Sequence, residues 1–334
     1  MSVAAARFTA QLLGDEKADS VEGVVERLLA VQAQDARAFR LAIRARSNGV
    51  HVSDVDAALD EGRVVVSWFN RGTLHLVGRE DYWWLHELTT PQLATGCRSR
   101  LAREGVDPEA AERGVAAIER ALAHGPLTRT ELRESVTAAV GVPAQVLPLV
   151  LFLASLRGLV VRGPMRGDAQ ALVLVRDWLG KPPPFDRDVA LTELARRYLR
   201  SHPYADDRDL ARWAKVSLGD ARRGLTSCGN SLVPPARELP PSRLLGAFEP
   251  ALLGWRDRSW ILPDVVRAER LVTDNGIFRP FLLVDGVAAG TWSLTKGKVS
   301  LAPFADLPDD VAATLHADAA DVEAFLRERQ PTAT

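Results

Sequence analysis

The stretch Val64-Val65-Val66-Ser67-Trp68-Phe69-Asn70-Arg71-Gly72-Thr73-Leu74-His75-Leu76-Val77 sets the architecture of the first part of the chain. Its two runs are rich in β-branched and aromatic residues, and they flank the short segment Asn70-Arg71, which predicts a β-hairpin or wing. Upstream, residues 21–31 place apolar side chains at the spacing of one helix face, and Asp35 is a typical N-cap for the next helix. Helices followed by a hairpin are the order of elements in a winged-helix unit.

The same order recurs downstream. Gly125 to Leu132 is a turn that leads into a capped helix, and Val146 to Arg157 is a strongly apolar helix. The runs 159–162 and 171–175 then pair around the glycine- and proline-rich loop 163–167. A third helical set follows a proline-rich linker. Its predicted helices are Leu191–Leu199, Asp206–Ala214 and Leu218–Leu225.

The C-terminal part changes to period-two patterning. Phe281 to Trp292 predicts a hairpin with Asp285-Gly286 at its turn, and Trp260 to Leu262 and Val299 to Leu301 are further candidate strands. These strands predict a small antiparallel barrel or sheet, closed by a helix from about Asp309 to Arg329.

We therefore predict an α+β protein with three tandem winged-helix units followed by a small antiparallel β-barrel. Proline clusters at 180–184 and 233–242 mark two of the boundaries. The predicted units are residues 1–105, 106–182 and 183–240, and the β-barrel with its C-terminal helix covers 241–334.

The composition is that of a globular protein, with 334 residues of which 47% are hydrophobic and 25% charged. No apolar run has the length of a membrane span and no secretory signal is evident, so we expect a cytoplasmic protein with no membrane partner. The two cysteines are far apart and the six histidines are scattered, which predicts neither a disulfide nor a metal site. Net charge is −1, yet 37 of the 42 basic residues are arginines, which suit phosphate contacts but also reflect codon bias in GC-rich genomes.

The segment Val31-Gln32-Ala33-Gln34-Asp35 is the least ordinary candidate for chemistry. Residues two apart on a helix point about 200° away from each other, so the two amides converge only if the helix ends there. Two amides on a tight turn can hold one water by donor and acceptor contacts. An ordinary polar turn between helices is the alternative that the residues leave open.

The hairpin offers a second candidate. Arg71 at its turn can project a guanidinium, and His75 can face either side of its strand. The alternative is a purely structural wing, packed by Trp68 and Leu74, in which Arg71 and His75 have no function. The sequence lacks the glycine-rich phosphate loop, the dinucleotide fingerprint and the common hydrolase and metalloprotease motifs.

Together these segments resemble the AlkZ-like DNA glycosylases, a winged-helix superfamily, over most of the chain. Val31-Gln32-Ala33-Gln34 resembles the family's Gln-x-Gln catalytic motif, and Trp68 to Val77 is similar to its Arg-Gly-Thr-x-His wing. Leu244 to Arg258 resembles the stretch that leads into the family's barrel, and Val284 to Trp292 resembles the barrel hairpin.

Two residues depart from the resemblance, because Gly246 and Glu249 stand where Pro and Asp are expected. Gln34 places the sequence with the Gln-x-Gln branch rather than with the branch that carries Asp at this position.

The resemblance implies a C-shaped molecule with a concave channel for double-stranded DNA. It implies hydrolysis of the N-glycosidic bond of N7-alkylated purines, bulky or crosslinked, in general repair or in self-resistance to a genotoxic natural product. We expect a monofunctional enzyme that acts as a monomer without cofactor or metal. Gln32 and Gln34 are the predicted catalytic residues, and the predicted DNA contacts are Arg71, His75, Arg37 and Asn70.

Two other functions fit the same fold. A non-enzymatic winged-helix regulator would bind DNA and release no base. A protein-interaction scaffold would show no salt-sensitive affinity for DNA.

Overall fold

The computed structural model describes residues 2–141, 144–167, 169–229, 238–264, 270–273 and 276–327. In those ranges the chain forms helices and two antiparallel sheets, which agrees with the predicted α+β class. No helix within them is both long enough and apolar enough to cross a lipid bilayer.

The first sheet is built on the stretch that begins at Val64. Two strands pair antiparallel across a turn in which Asn70 and Gly72 have φ angles of 53° and 78°. The second predicted hairpin joins the same sheet, because Val66 pairs with Arg162. The first two predicted units therefore share one five-stranded sheet with the order β1-β3-β2-β4-β5. Its strands are β1 (Val31–Gln32), β2 (Val64–Phe69), β3 (Thr73–Gly78), β4 (Val160–Arg166) and β5 (Ala169–Leu174).

Helices surround this sheet, and their apolar faces form the cores of the first two units. The predicted helix over 146–157 is confirmed as Leu147–Leu156, and Asp35 is confirmed as an N-cap that accepts from the backbone N–H groups of Arg37 and Ala38. The helices are α1 (Val3–Ala10), α2 (Val21–Leu28), α3 (Ala36–Arg44), α4 (Val52–Asp60), α5 (Tyr82–Thr89), α6 (Pro91–Arg103), α7 (Pro108–Leu122), α8 (Arg129–Val140), α9 (Leu147–Leu156) and α10 (Val175–Trp178).

The third helical set forms as predicted. Each helix begins at an acidic or hydroxyl N-cap, and its apolar face packs against the core that also contains α5. The described residues from 187 to 229 contain no strand, so a third hairpin is not found there, and residues 230–237 lie outside the described part. The helices are α11 (Arg187–Ser201), α12 (Asp207–Ala214) and α13 (Leu218–Cys228).

The C-terminal module contains a second sheet rather than the predicted barrel. Its order is β6-β7-β8-β9, and among the described residues its two edge strands do not pair with each other, so the sheet stays open. The Asp285-Gly286 hairpin is confirmed, with φ angles of 49° and 76° that suit a type I′ turn. The elements are β6 (Arg243–Leu245), α14 (Pro250–Leu253), β7 (Phe281–Val284), β8 (Val287–Thr295), β9 (Lys298–Pro303) and α15 (Asp309–Arg327).

The prediction of a strand over Trp260 to Leu262 is wrong. The backbone N–H groups of Ile261 and Leu262 both donate to the carbonyl of Arg258, so this segment is a turn. Its apolar side chains serve the core instead, since Ile261 is fully buried and Trp260 packs edge-on against Phe8. An apolar run of three residues does not distinguish these two conformations.

A buried ion pair connects the N-terminal unit to the C-terminal module. Arg46, just after α3, donates to both carboxylate oxygens of Glu249, and both side chains are fully buried. The guanidinium also donates to Gln11 at 3.4 Å and to the carbonyl of Ala42 at 3.1 Å. Glu249, one of the two departures from the family pattern, also caps α14 by accepting from Ala251.

Glu249→Ala is expected to lower the free energy of unfolding by about 3–5 kcal/mol, because it leaves the Arg46 guanidinium buried without its partner. Urea unfolding checks this value. The matched control is Glu26→Ala, which breaks the exposed pair with Arg200 and should cost less than about 1 kcal/mol. Similar losses for the two variants would contradict a linking role for the buried pair.

Candidate active site

The two predicted catalytic glutamines lie in an extended segment between α2 and α3. Helix α2 ends at Leu28, and Leu29 takes a φ of 67°, which turns the chain out of the helix. The chain then pairs with β3, with Gln32 opposite His75, and α3 begins after Asp35. The expected helix end is therefore present, but it precedes both glutamines.

Gln32 lines a small cavity. Its side chain is 7% exposed, and its Oε1 accepts a hydrogen bond from Arg71 Nη2 at 3.4 Å. The cavity measures about 10 Å³, close to the space that one buried water needs. Its lining residues are Leu28, Ala30, Gln32, Arg71, His75, His202, Trp213, Pro250 and Leu253.

Gln34 has a different environment. Its side chain is exposed, and its Oε1 accepts from the backbone N–H of Leu74 at 2.9 Å. Beside this contact, the N–H of Ala33 donates to the carbonyl of Leu74 at 2.7 Å. Gln34 thus extends the pairing of β1 with β3 by a side-chain hydrogen bond, and it does not line the cavity that Gln32 lines.

Two neutral histidines face the cavity. The Nδ1–H of His75 donates to the carbonyl of Thr73 at 2.9 Å, and that of His202 donates to the carbonyl of Tyr198 at 3.0 Å. Each Nε2 is then an acceptor, but that of His202 is already used, because it accepts from Gln11 Nε2 at 3.4 Å. Burial, with a smaller effect of nearby arginines, lowers the pKa of each to about 3, so both are uncharged at neutral pH.

Arg71 is the cation of the cavity. Its Nη1 donates to the carbonyl of Trp213 at 3.0 Å, in the last turn of α12, where helix carbonyls lack intrahelical partners. Burial and the neighbouring Arg212 and Arg258 lower its pKa to about 10, which leaves it protonated at neutral pH. One guanidinium therefore joins the hairpin turn, α12 and Gln32.

The other two predicted DNA contacts lie elsewhere. Asn70 is fully buried, its backbone N–H donates to Thr89 Oγ1, and its carboxamide has no hydrogen-bond partner among the described residues. A DNA contact through Asn70 would require it to leave this position.

Arg37 is exposed at the start of α3, beside a separate cleft of about 280 Å³ that also contains Trp292.

Sequence reasoning missed His202 and Trp213, which come from the third helical set, and Pro250 and Leu253 from the C-terminal module. No sequence signal joins these residues to the site; in the structure Gly254 approaches His202 so closely that a Cβ would lie 2.2 Å from the ring. In the described ranges, no group of three His, Cys, Asp or Glu side chains is placed to hold a metal ion.

The chemistry open to this cavity is that of an oriented water. Gln32 and His75 supply acceptors, and Gln32 and Arg71 supply donors. The lining contains no carboxylate, serine, cysteine or lysine, so neither a strong general base nor a covalent nucleophile faces it.

The chain is similar to known proteins over most of its length. A family model described as "DNA glycosylase AlkZ-like" matches residues 25–325. The "Interstrand DNA cross-link repair glycosylase" of Streptomyces sahachiroi is 25% identical over 336 residues, which cover 90% of this chain and 89% of that protein. The solved structure of the Streptomyces sahachiroi DNA glycosylase AlkZ has a TM-score of 0.77 at 23% identity and covers 97% of this chain and 95% of its own.

The two cavity histidines predict a pH dependence of stability. The unfolded chain takes up protons on them near pH 6.5 and the folded protein only near pH 3, so the free energy of unfolding should fall as the pH decreases between these values. Each histidine contributes a slope of up to about 1.4 kcal/mol per pH unit.

Urea unfolding at pH 7.5, 6.0 and 5.0 measures the slope, and ¹⁵N NMR of the rings should show both histidines neutral at pH 5. His202→Gln should reduce the slope, whereas His316→Gln, on the exposed face of α15, is the matched control. An unchanged slope in His202→Gln would contradict the assignment.

Proposed function

Because the chain belongs to the AlkZ-like DNA glycosylase family, we propose that it hydrolyses the N-glycosidic bond of N7-alkylated purines in double-stranded DNA, including bulky adducts and interstrand crosslinks. The Streptomyces sahachiroi relative is an interstrand DNA cross-link repair glycosylase, which supports crosslinked DNA as a substrate. The helical units and the C-terminal module would surround a concave, C-shaped channel that receives the duplex.

The observation that carries this proposal is the placement of Gln32. Its carboxamide is buried at a cavity the size of one water, fixed by Arg71 and flanked by neutral His75. A water held there has its protons directed to acceptors and one lone pair free to attack.

The chemistry suits an N7-alkylated purine in particular. Such a base is cationic, so the C1′–N9 bond breaks with its electron pair on N9 and the base leaves neutral, without a strong general acid. The held water bonds to C1′ and releases its proton to solvent, which produces an abasic site. Since no lysine lines the cavity, the product is hydrolysed DNA rather than a covalent adduct with an enzyme amine, and the enzyme is monofunctional.

In this proposal Gln34 helps Gln32 to orient the water, either by contacting the water itself or by holding strand β1 in place. Its hydrogen bond to Leu74 secures the end of β1, and a small rotation of its exposed side chain would bring its amide toward bound DNA. His75 orients the water through Nε2, and Arg37 contacts DNA from the exposed start of α3.

Gln32→Ala and Gln34→Ala are each expected to lose most base excision while they retain DNA affinity. The loss for Gln32→Ala should be about 100-fold or more, because the water is no longer oriented. The measurement is single-turnover release of base and formation of abasic sites on a duplex with one N7-methylguanine. Exposed Gln145→Ala is the matched control and should keep wild-type rates.

Full activity in both glutamine variants would exclude the catalytic assignment. The same assay separates the rival functions. A winged-helix regulator would bind the duplex in the wild-type form and release no base, and a protein-interaction scaffold would show no affinity that depends on salt.

Arg71→Gln is expected to weaken DNA binding and to reduce the slope of log affinity against log salt by about one unit, as for the loss of one phosphate contact. Fluorescence anisotropy between 50 and 300 mM salt measures this slope. An unchanged affinity and slope would remove Arg71 from the DNA contacts.

A further inference from the structure

Three arginines from separate parts of the chain lie at, or next to, residues that line the cavity. Arg71 lies on the turn between β2 and β3 and donates to the carbonyl of Trp213, the residue that follows Arg212 on α12. Arg258 comes from the segment after α14, and its Nε donates to the carbonyl of Leu252 at 2.7 Å, next to the cavity residue Leu253.

The charge of this arginine cluster (Arg71, Arg212 and Arg258) is not balanced by an ion pair among the described residues, and Arg258 instead lies over the Phe278 ring, 5.0 Å from its centroid. None of the three has a carboxylate within 4 Å there, although Arg256, two residues before Arg258, pairs with Asp206 and Asp209. The neighbouring acid Asp257 accepts from the N–H of Ser259 at 2.8 Å.

The mutual repulsion within the cluster appears in the pKa values. Arg212 lowers the pKa of both Arg71 and Arg258, and Arg258 also lowers that of Arg71. Cations brought together beside a cavity attract an anion. Arg212 is exposed, so the cluster is open to a ligand from solution.

The cavity lacks an anion of its own. When the base leaves, the sugar becomes a cation, yet the lining residues include no carboxylate to stabilise it and Arg71 would oppose it. A phosphate held by the cluster satisfies both requirements, because it neutralises the arginines and brings negative charge next to the sugar.

Building on the proposed function, we propose that Arg71, Arg212 and Arg258 hold one backbone phosphate of the damaged strand over the cavity, and that this phosphate is the counter-charge of the sugar cation. The phosphate forms no bond in the reaction. The electron pair of the C1′–N9 bond still leaves with the base, and water still supplies the oxygen at C1′. Arg212 and Arg258 are thus positioning residues.

A double-mutant cycle, with one change in the protein and one in the DNA, tests this proposal. The substrates are duplexes with one N7-methylguanine in which a single phosphate near the lesion, in turn, is replaced by an uncharged methylphosphonate. For the wild type, single-turnover excision should fall about 10-fold or more at one position and little at the others. On the unmodified duplex, Arg212→Gln should lower the excision rate by a similar factor. On the duplex with the methylphosphonate at the sensitive position, the same substitution should lower the rate little further.

Arg196→Gln is the matched control, since Arg196 is exposed and paired with Glu193. For this variant, the methylphosphonate at the sensitive position should lower the excision rate as much as it does for the wild type. Arg212→Lys should recover part of the rate. Thermal unfolding of Arg212→Gln should match the wild type, because the side chain is exposed and makes no hydrogen bond within the described residues. Arg258→Gln provides a second test of the same coupling.

The outcomes separate the two proposals. Release of no base by the wild type from the unmodified duplex would overturn the proposed function and this inference with it. Normal excision with equal rates on every methylphosphonate duplex, or additive losses for Arg212→Gln and the neutral phosphate, would leave the proposed function standing and overturn the role of the arginine cluster.

Discussion

The pairing of β1 with β3 is the interaction on which the rest of the site depends. It extends over only two residues of β1, yet it places Gln32 opposite His75 and leaves both side chains at the same cavity. The positive φ of Leu29 makes the pairing possible, because it ends α2 early enough for the chain to become extended. The hydrogen bonds of Ala33 and Gln34 to Leu74 then close the end of the short strand.

The site is unusual for a hydrolase in that its buried polar groups are neutral except for one arginine. Burial keeps His75 and His202 uncharged, and Arg71 uses its donors on Gln32 and on the end of α12. Such a cavity offers little to a substrate that needs a strong acid or base. It suits a reaction whose leaving group is already activated by its own positive charge, as in the proposed excision of alkylated purines.

The cavity also depends on contacts between parts that are distant in sequence. The buried pair of Arg46 and Glu249 fixes the start of the C-terminal module against α3, and Gln11 connects the same arginine to His202. Close approach of Gly254 to the His202 ring completes this contact. Stability and the shape of the cavity are thus coupled through one buried polar network.

The sequence by itself determined the α+β class, the three hairpins and most helices. These follow from local signals, namely the period of apolar residues, the N-cap at Asp35 and the Asp285-Gly286 turn. The tertiary structure decided that the first two hairpins share a sheet, that the second sheet stays open and that Gln34 faces away from the Gln32 cavity. It also brought His202 and Arg212 to Arg71, from more than a hundred residues away. Such contacts depend on long-range packing, and no local pattern of residues records them.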